Sequence, residues 1–369
     1  MKFIVKKDEF LNGIRIVEHA TTMKGLQPVL ANIFVDTIDE KTLKLSATDL
    51  DLTITTQIQA QVQEEGQITL PAKKLSDIVS RLTDDLVEFN IDLDTNSANI
   101  QCKNSKFSVI GISANEFPAL TEYDLTESID IDIKTFSEGI RQVGYAAAGS
   151  EYNKVLSGIV FNISDNKLEM AATDGNRLAR VRQELQKPSK DSQLIIPARA
   201  LQEFMKITSL IEDETVHIYL DKTKLIFKTT DIMMISSIID GQYPKYNQLI
   251  PETTPKEAII NVESLISALE RVSIMINEKT NTVKMEFKEN KLILSGNTDI
   301  GTSEDVIEIK YDGDDLKIAF NYKYVIDAIK NMTSSEILMG LNTSLSATVI
   351  KPNTEDDYIS LIMPVQLRD

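Results

Sequence analysis

The sequence predicts an α+β protein of three similar domains, each with two helices on antiparallel sheets. Two series of markers carry that reading. Thr48-Asp49, Thr173-Asp174 and Thr298-Asp299 follow one another at intervals of 125 residues. An apolar run leading into a helix start keeps the same beat: Ile68-Thr69-Leu70-Pro71-Ala72, Leu194-Ile195-Ile196-Pro197-Ala198 and Ile318-Ala319-Phe320-Asn321. Pro71 to Pro197 is 126 residues and Pro197 to Asn321 is 124. Solenoid repeats have periods of about 20–50 residues, so this much longer period marks whole domains. The expected boundaries are 1–125, 126–250 and 251–369. Linkers fall near Leu120–Ser128 and Ile250–Lys256, the second punctuated by Pro251 and Pro255.

Each domain opens with an amphipathic helix. Phe10, Ile14 and Val17 stand at i, i+4 and i+7, as do Phe136, Ile140 and Val143, and Leu265, Leu269 and Val272. Gly13-Ile14-Arg15 returns as Gly139-Ile140-Arg141. Strand patterns follow, such as Ile33 to Val35 and Ile159 to Ile163. The short alternating runs Leu43-Lys44-Leu45, Leu168-Glu169-Met170 and Leu292-Ile293-Leu294 then lead into the Thr-Asp pair. An aspartate there is expected to close a turn by accepting from nearby backbone N–H groups. Asp49 and Asp51 form a D-x-D pair, a weak metal signal, and the recurrence of Asp174 and Asp299 favours the turn. A second helix is expected to begin at Pro71, Pro197 or Asn321, since a proline N–H would have no helical partner in the first turn. Its apolar face is Leu75, Ile78, Val79 and Leu82 in the first domain, and Val325, Ile326, Ile329 and Met332 in the third. Further strands end in Phe117-Pro118, Tyr243-Pro244 and Met363-Pro364.

Composition excludes several classes. No apolar run approaches the roughly 18 residues of a membrane span. Met1-Lys2-Phe3-Ile4-Val5-Lys6-Lys7 regains charge too soon for a secretory signal. Cys102 is the only cysteine, so no internal disulfide or cysteine zinc site is expected, and a cytoplasmic protein is. Of the two histidines, His19 ends the first helix, where a cation suits the carbonyl end of the dipole, and His217 lies in an alternating strand. Neither has a serine or cysteine nucleophile motif around it. No phosphate-cradling G-x-x-x-x-G-K-[ST] or G-x-G-x-x-G occurs. The expectation is a protein with no catalytic residues, metal or cofactor. The net charge of −17 argues against nucleic acid, yet the six helical segments together sum to +4 and leave −21 for the rest. That contrast suggests a helix-lined basic surface with an acidic exterior, touching DNA weakly through phosphates and without base readout.

Several separated segments resemble one family over essentially the whole chain. They are Pro28-Val29-Leu30-Ala31-Asn32, Ala47-Thr48-Asp49-Leu50, Leu70-Pro71-Ala72-Lys73-Lys74 and Phe117-Pro118 in the first third. Ala172-Thr173-Asp174-Gly175-Asn176-Arg177-Leu178, Asp240-Gly241-Gln242-Tyr243-Pro244, Asn277-Glu278-Lys279 and Met363-Pro364-Val365 follow. In these the sequence resembles the bacterial DNA polymerase sliding clamp, the beta subunit of the replicative polymerase. The resemblance implies the DNA clamp fold and a head-to-tail homodimer, closed as a ring around duplex DNA. It implies that the ring tethers the replicative polymerase for processivity. The clamp loader, repair polymerases and mismatch-repair proteins would bind through short peptides.

The family's peptide groove maps by matching position to Leu156, Thr173, Gly175, Arg177 and Leu178, then Pro244 and Leu249. Asn321, Tyr324, Leu345, Met363, Pro364 and Val365 complete its wall. Most are apolar, as a groove for leucine and phenylalanine anchors requires. Asn176 stands where histidine is frequent, Gln248 where arginine occurs, Thr280 where an aromatic occurs and Gln366 where a late arginine occurs, with Arg368-Asp369 extending the end. For DNA, the resemblance points to Lys24, Ser150 and Lys154, the last where some relatives have an aromatic. For the dimer it points to an apolar centre of Phe107 and Val109 against Ile274 and Met275, with Lys74 and Glu304 on the ionic rim. The alternative is a peptide-binding scaffold of the same fold with no DNA role, supported by the net charge.

Overall fold

The computed structural model describes residues 1–23, 27–83, 85–149, 153–185, 190–221, 223–354 and 357–366. Among them are six α-helices: α1 (Lys7–Glu18), α2 (Ala72–Ser80), α3 (Ile133–Gly144), α4 (Ala198–Thr208), α5 (Val262–Ser273) and α6 (Tyr322–Lys330). The strands form four sheets, and every strand pair in them is antiparallel. The chain is α+β, and it gathers into two compact units, residues 1–134 with 199–238 and residues 135–198 with 239–369.

The helices follow from the pattern that predicts them. In α1, Phe10, Ile14 and Val17 are buried, Asp8 and Glu9 sit in the first turn, and Arg15 sits in the last, each charge favoured by the helix dipole. The repeated glycine has a packing reason. A Cβ on Gly13 would lie 2.9 Å from Leu45 Cδ1, and one on Gly139 would overlap Met170 and Gln183. The helix thus lies directly on its sheet, and the third repeat keeps a small residue there, the buried Ala268.

The start of the second helix differs from expectation by one residue. Pro71 ends the strand Gln67–Pro71, opposite Asn32, and caps α2 from outside with φ −58° and ψ 113°. Pro197 likewise closes the strand Ser192–Pro197, and Asn321 the strand Leu316–Asn321. An extended backbone at this position belongs to the strand, so the helix begins at the next residue. Asn321 adds a side-chain cap, accepting from Lys323 N at 3.0 Å.

In the first unit, a five-stranded sheet has the order Gln61–Glu64, Lys2–Lys6, Leu86–Asp92, Ser97–Cys102, Ser105–Ile110. A nine-stranded sheet is continuous across two repeats. The strand Leu52–Gln59, just after the first Thr-Asp turn, pairs with Ile232–Ser237 of the middle third, from Leu52 opposite Ser236 to Thr56 opposite Ile232. The second unit repeats the seam. Arg177–Glu184, after the second Thr-Asp turn, pairs with Tyr358–Ile362, from Arg177 opposite Ile362 to Val181 opposite Tyr358. Its four-stranded sheet ends in Gly301–Glu308, the strand after the third Thr-Asp turn, as an edge. Because sheets run through both seams, the two units divide the middle third between them.

A charge network around the buried Glu169 and Arg180 reinforces the second seam. Glu169 accepts from Tyr246 Oη and from Arg182 Nε at 2.7 Å, while Asp357 accepts from Arg180 Nη2 at 2.9 Å and from Arg182 Nη1 at 3.5 Å. Burial alone would raise the Glu169 pKa, but the hydrogen bonds from Tyr246 and Arg182 and the two guanidinium charges outweigh it and hold the carboxyl below its usual range. A folded-state pKa below the unfolded one contributes stability above the unfolded value, and that contribution is lost as pH falls through the folded value. Glu169→Ala removes one partner from the half-exposed Arg182, which keeps Asp357, and should cost about 1–2 kcal/mol at neutral pH. Chemical denaturation at pH 7 and at pH 4 checks this, and the wild-type advantage should shrink in acid.

Candidate peptide groove and subunit edges

The second Thr-Asp turn sets the geometry of one face of the second unit. Thr173 Oγ1 donates to the Arg177 carbonyl at 2.6 Å and accepts from Gly175 N at 3.1 Å. Asp174 Oδ1 accepts from Asn176 N at 2.9 Å and Arg177 N at 3.1 Å. This is the turn role read from the repeat, and Asp49 plays it too, accepting from Asp51 N and Leu52 N. Gly175 has φ +91°, and a Cβ there would meet nothing within 4 Å. The left-handed backbone suits glycine and the space beside it is open.

Arg177 is held from every side. Its Nε donates to Asp174 at 3.0 Å, its Nη1 donates to Asp327 at 2.6 Å, and its guanidinium lies 4.4 Å from the Tyr324 ring centre and 5.4 Å from that of Tyr145. A guanidinium so paired and stacked is a fixed wall. The terminal segment is laid against the same turn, since Met363 N donates to Asn176 O at 2.9 Å and Val365 N to Ala319 O at 2.8 Å. Beneath lies a buried cluster that includes Leu178, Tyr243, Val349 and Leu361, with Leu156, Ile250 and Ala347 packed against it. Tyr243 donates to Gly158 O and accepts from Thr173 N, and burial pushes its phenol up to about 12. Leu249, Leu345 and Met363 stay exposed, Leu345 at 64%. Pro244 is exposed as well, and its carbonyl accepts from Tyr246 N at 2.8 Å. The candidate groove residues therefore share one unit, with a buried apolar floor and exposed apolar rims.

The other candidates fall elsewhere. Lys24 and Ser150 lie outside the described residues. Lys154 is exposed in a turn, its carbonyl accepting from Ser157 Oγ at 2.7 Å. Phe107 and Val109 sit two apart on the edge strand Ser105–Ile110, so both point to one side of it. Ile274 follows α5 and is 78% exposed, and the Met275 thioether lies beside Gly301 at the start of the edge strand Gly301–Glu308, which carries Glu304. Lys74 is exposed on α2. One edge belongs to each unit.

Family models match this chain in order along its length. The N-terminal domain of the DNA polymerase III beta subunit matches residues 1–121, the central domain 130–245 and the C-terminal domain 247–366. A beta sliding clamp of Synechococcus elongatus is 32% identical, and one of Synechocystis 33%, each match covering 100% of both chains. The chain belongs to the DNA polymerase III beta subunit family. Its fold agrees with solved members, with a TM-score of 0.94 to the sliding clamp of Bacillus subtilis at 27% identity and 0.93 to the beta subunit of Thermotoga maritima at 25%, over 100% of each chain. Its function is that of a DNA sliding clamp in replication.

Sequence reasoning did not find Tyr145 and Asp327, which fix Arg177 from 32 residues before it and 150 after it. No local signal marks them, because both contacts cross between elements. It also missed the apolar residues that the two edges leave exposed, Ile110, Ile300 and Val306. Alternation does not mark them, since Ile110 falls on the opposite side of its strand from Phe107 and Val109 and Ile300 lies in the turn before Gly301. Asn176, Gln248, Thr280 and Gln366, where the chain departs from its family's pattern, are all exposed, so the departures change the surface and leave the buried floor intact.

Gly175→Leu fills the open space beside the turn. The first repeat carries leucine at the matching turn position, with φ +79°, so the variant should fold. It should weaken a polymerase C-terminal peptide about tenfold or more, as loss of one apolar anchor does, in fluorescence anisotropy. Unchanged affinity would remove Gly175 from the groove.

Proposed function

We propose that two copies of this chain close head to tail into a ring around duplex DNA, and that the groove around Gly175 tethers the replicative polymerase. The clamp loader, repair polymerases and mismatch-repair proteins would use the same groove through short peptides. In this reading the protein works in the cytoplasm and catalyses nothing itself. Its domains are 1–125, 126–250 and 251–369.

The observation that carries the ring is the repetition of the seams. Twice the strand after a Thr-Asp turn pairs with the strand that precedes the next domain's closing Pro. The third such strand, Gly301–Glu308, and the first partner strand, Ser105–Ile110, are left as open edges. Offsetting the first seam's register by the repeat sets Val109 opposite Ser303, Ser108 opposite Glu304 and Phe107 opposite Asp305. Exposed flat edges of this kind favour strand pairing with another chain, and a head-to-tail contact must close or grow into a filament. Phe107, Val109, Ile274 and Met275 then form the apolar centre, with Lys74 and Glu304 as the ionic rim. The groove reading rests on Leu156, Leu178, Leu249, Leu345 and Met363 around the fixed Arg177, with Thr173, Pro244, Asn321, Tyr324, Pro364 and Val365 completing it. DNA is met by Lys24, Ser150 and Lys154.

Loading on nicked circular against linear DNA tests the ring. Retention on circles with loss from linear ends is expected, and equal loss from both would exclude encirclement. Ile274→Ala with Met275→Lys should give folded monomers in sedimentation at micromolar concentration, and a persistent dimer would rule out this edge. Duplex binding should be blind to sequence and should fall steeply with salt, because phosphate contacts release counterions. Charge reversal at Lys24 and Lys154 should slow loading without shifting the melting temperature.

A further inference from the structure

The first repeat builds a groove of its own. Leu50 follows Thr48-Asp49 as Gly175 follows Thr173-Asp174, and it takes the same left-handed backbone, φ +79°. That region is unfavourable for leucine, and such strain persists where the surroundings fix it, often at functional sites. Here they do. Leu50 N donates to Thr48 Oγ1 at 3.0 Å, Leu52 N donates to Asp49 Oδ1 at 2.8 Å, and Arg199 of α4 holds Asp49 Oδ2 at 2.9 Å. The side chain so presented is 54% exposed. It lines a cavity of about 540 Å³, together with Leu120, Tyr123 and Leu125 of the linker and Met233 and Ile235 across the seam. That volume admits one or two large side chains of a ligand.

Charge completes the site. Lys44 and Lys224 also line the cavity. Lys224 Nζ donates to Ser237 Oγ at 2.7 Å, and among the described residues neither lysine has a carboxylate within ion-pair distance. In a chain with 56 acidic and 39 basic residues, two ammonium groups with no ion-paired carboxylate, in a cleft that threonines such as Thr53 and Thr55 share with the apolar side chains, complement an acidic ligand. Glu122 is the only carboxylate in the lining.

We propose that this seam is a second docking site, for an extended peptide whose leucine or aromatic anchor is flanked by aspartate or glutamate. The apolar walls fit a buried anchor, and two cations suit short acidic flanks rather than the continuous basic track that single-stranded nucleic acid requires. The proposal stands on the first repeat's own lining, charge and strain, and does not depend on the groove around Gly175.

Isothermal titration of the full chain with a synthetic peptide, Leu-Phe set between Asp and Glu residues, tests it. Two peptides per chain are expected. Leu50→Asn and Lys224→Glu should each weaken one of them by about tenfold or more, while Leu345→Asp removes only the other. Asparagine tolerates the left-handed region, so Leu50→Asn should keep the wild-type melting temperature. A single peptide per chain, lost with Leu345→Asp and untouched by Leu50→Asn, overturns the proposal. A single peptide lost with Leu50→Asn and kept with Leu345→Asp supports this site and removes the other groove. Displacement of the peptide from the Leu50 site by a single-stranded oligonucleotide would overturn it through the ligand class.

Discussion

The constraint on which the rest of this structure depends is that strand edges must find partners. A buried backbone N–H or C=O without a hydrogen bond is costly, and each third of this chain builds strands whose outer edge it does not cover itself. The first third satisfies one edge with Ile232–Ser237 of the second, and the second satisfies one with Tyr358–Ile362 of the third. Sheet continuity across each seam joins repeats that a flexible linker would leave as beads. The same constraint leaves Ser105–Ile110 and Gly301–Glu308 open. Open edges that carry exposed apolar residues such as Ile110 and Val306 are a hazard in a monomer and a resource in an assembly.

One short turn then decides what each seam can do. The threonine keeps its part, since Thr48 and Thr173 donate to the carbonyl four residues on and Thr298 to the carbonyl three residues on, and Asp49 and Asp174 each accept from two backbone N–H groups. The residue after the aspartate does vary: leucine at 50, glycine at 175, isoleucine at 300. Glycine leaves open space at the second turn, whereas leucine and isoleucine put apolar surface into solvent at the other two turns, Ile300 at 90% exposure. The first two turns share a left-handed backbone at this residue, whereas the third is a tighter hairpin in which Thr298 pairs with Gly301, so side chain and turn length together set three different surfaces. Repetition supplies the frame, and divergence within the turn supplies the specialisation.

Much of this was legible in the sequence for a physical reason. Helix faces and turns are local, so Phe10, Ile14 and Val17 predict α1, and Thr173-Asp174 predicts the turn that the hydrogen bonds then display. The boundary at Pro71 misled by one residue because proline suits both the end of a strand and the threshold of a helix. The groove positions came from matching to a family, not from periodicity. What neither route reached is the fixing of Arg177 by Tyr145 and Asp327, or of Asp49 by Arg199. These join elements brought together only by the fold, and nothing in the spacing of a lone arginine names its partner.

The net charge of −17 looks at odds with a protein that works on DNA, and the geometry of sliding resolves it. A clamp held by topology needs no strong attraction, because a closed ring cannot fall off sideways whatever its affinity. Tight phosphate contacts would hinder movement, since each step along the duplex would have to break and remake them. Excess acidic charge away from the helices would also disfavour DNA on the outside of such a ring, where binding would compete with threading. Several of the helix-borne cations are locally neutralised in part: Arg141 pairs with Glu138, Lys206 with Glu203 and Lys330 with Glu270. Such exposed pairs add little to stability, but they soften the positive field along the helices. In the ring proposed above, a weak attraction of this kind would hold a duplex without fixing it at one place, which is the balance that a mobile tether requires.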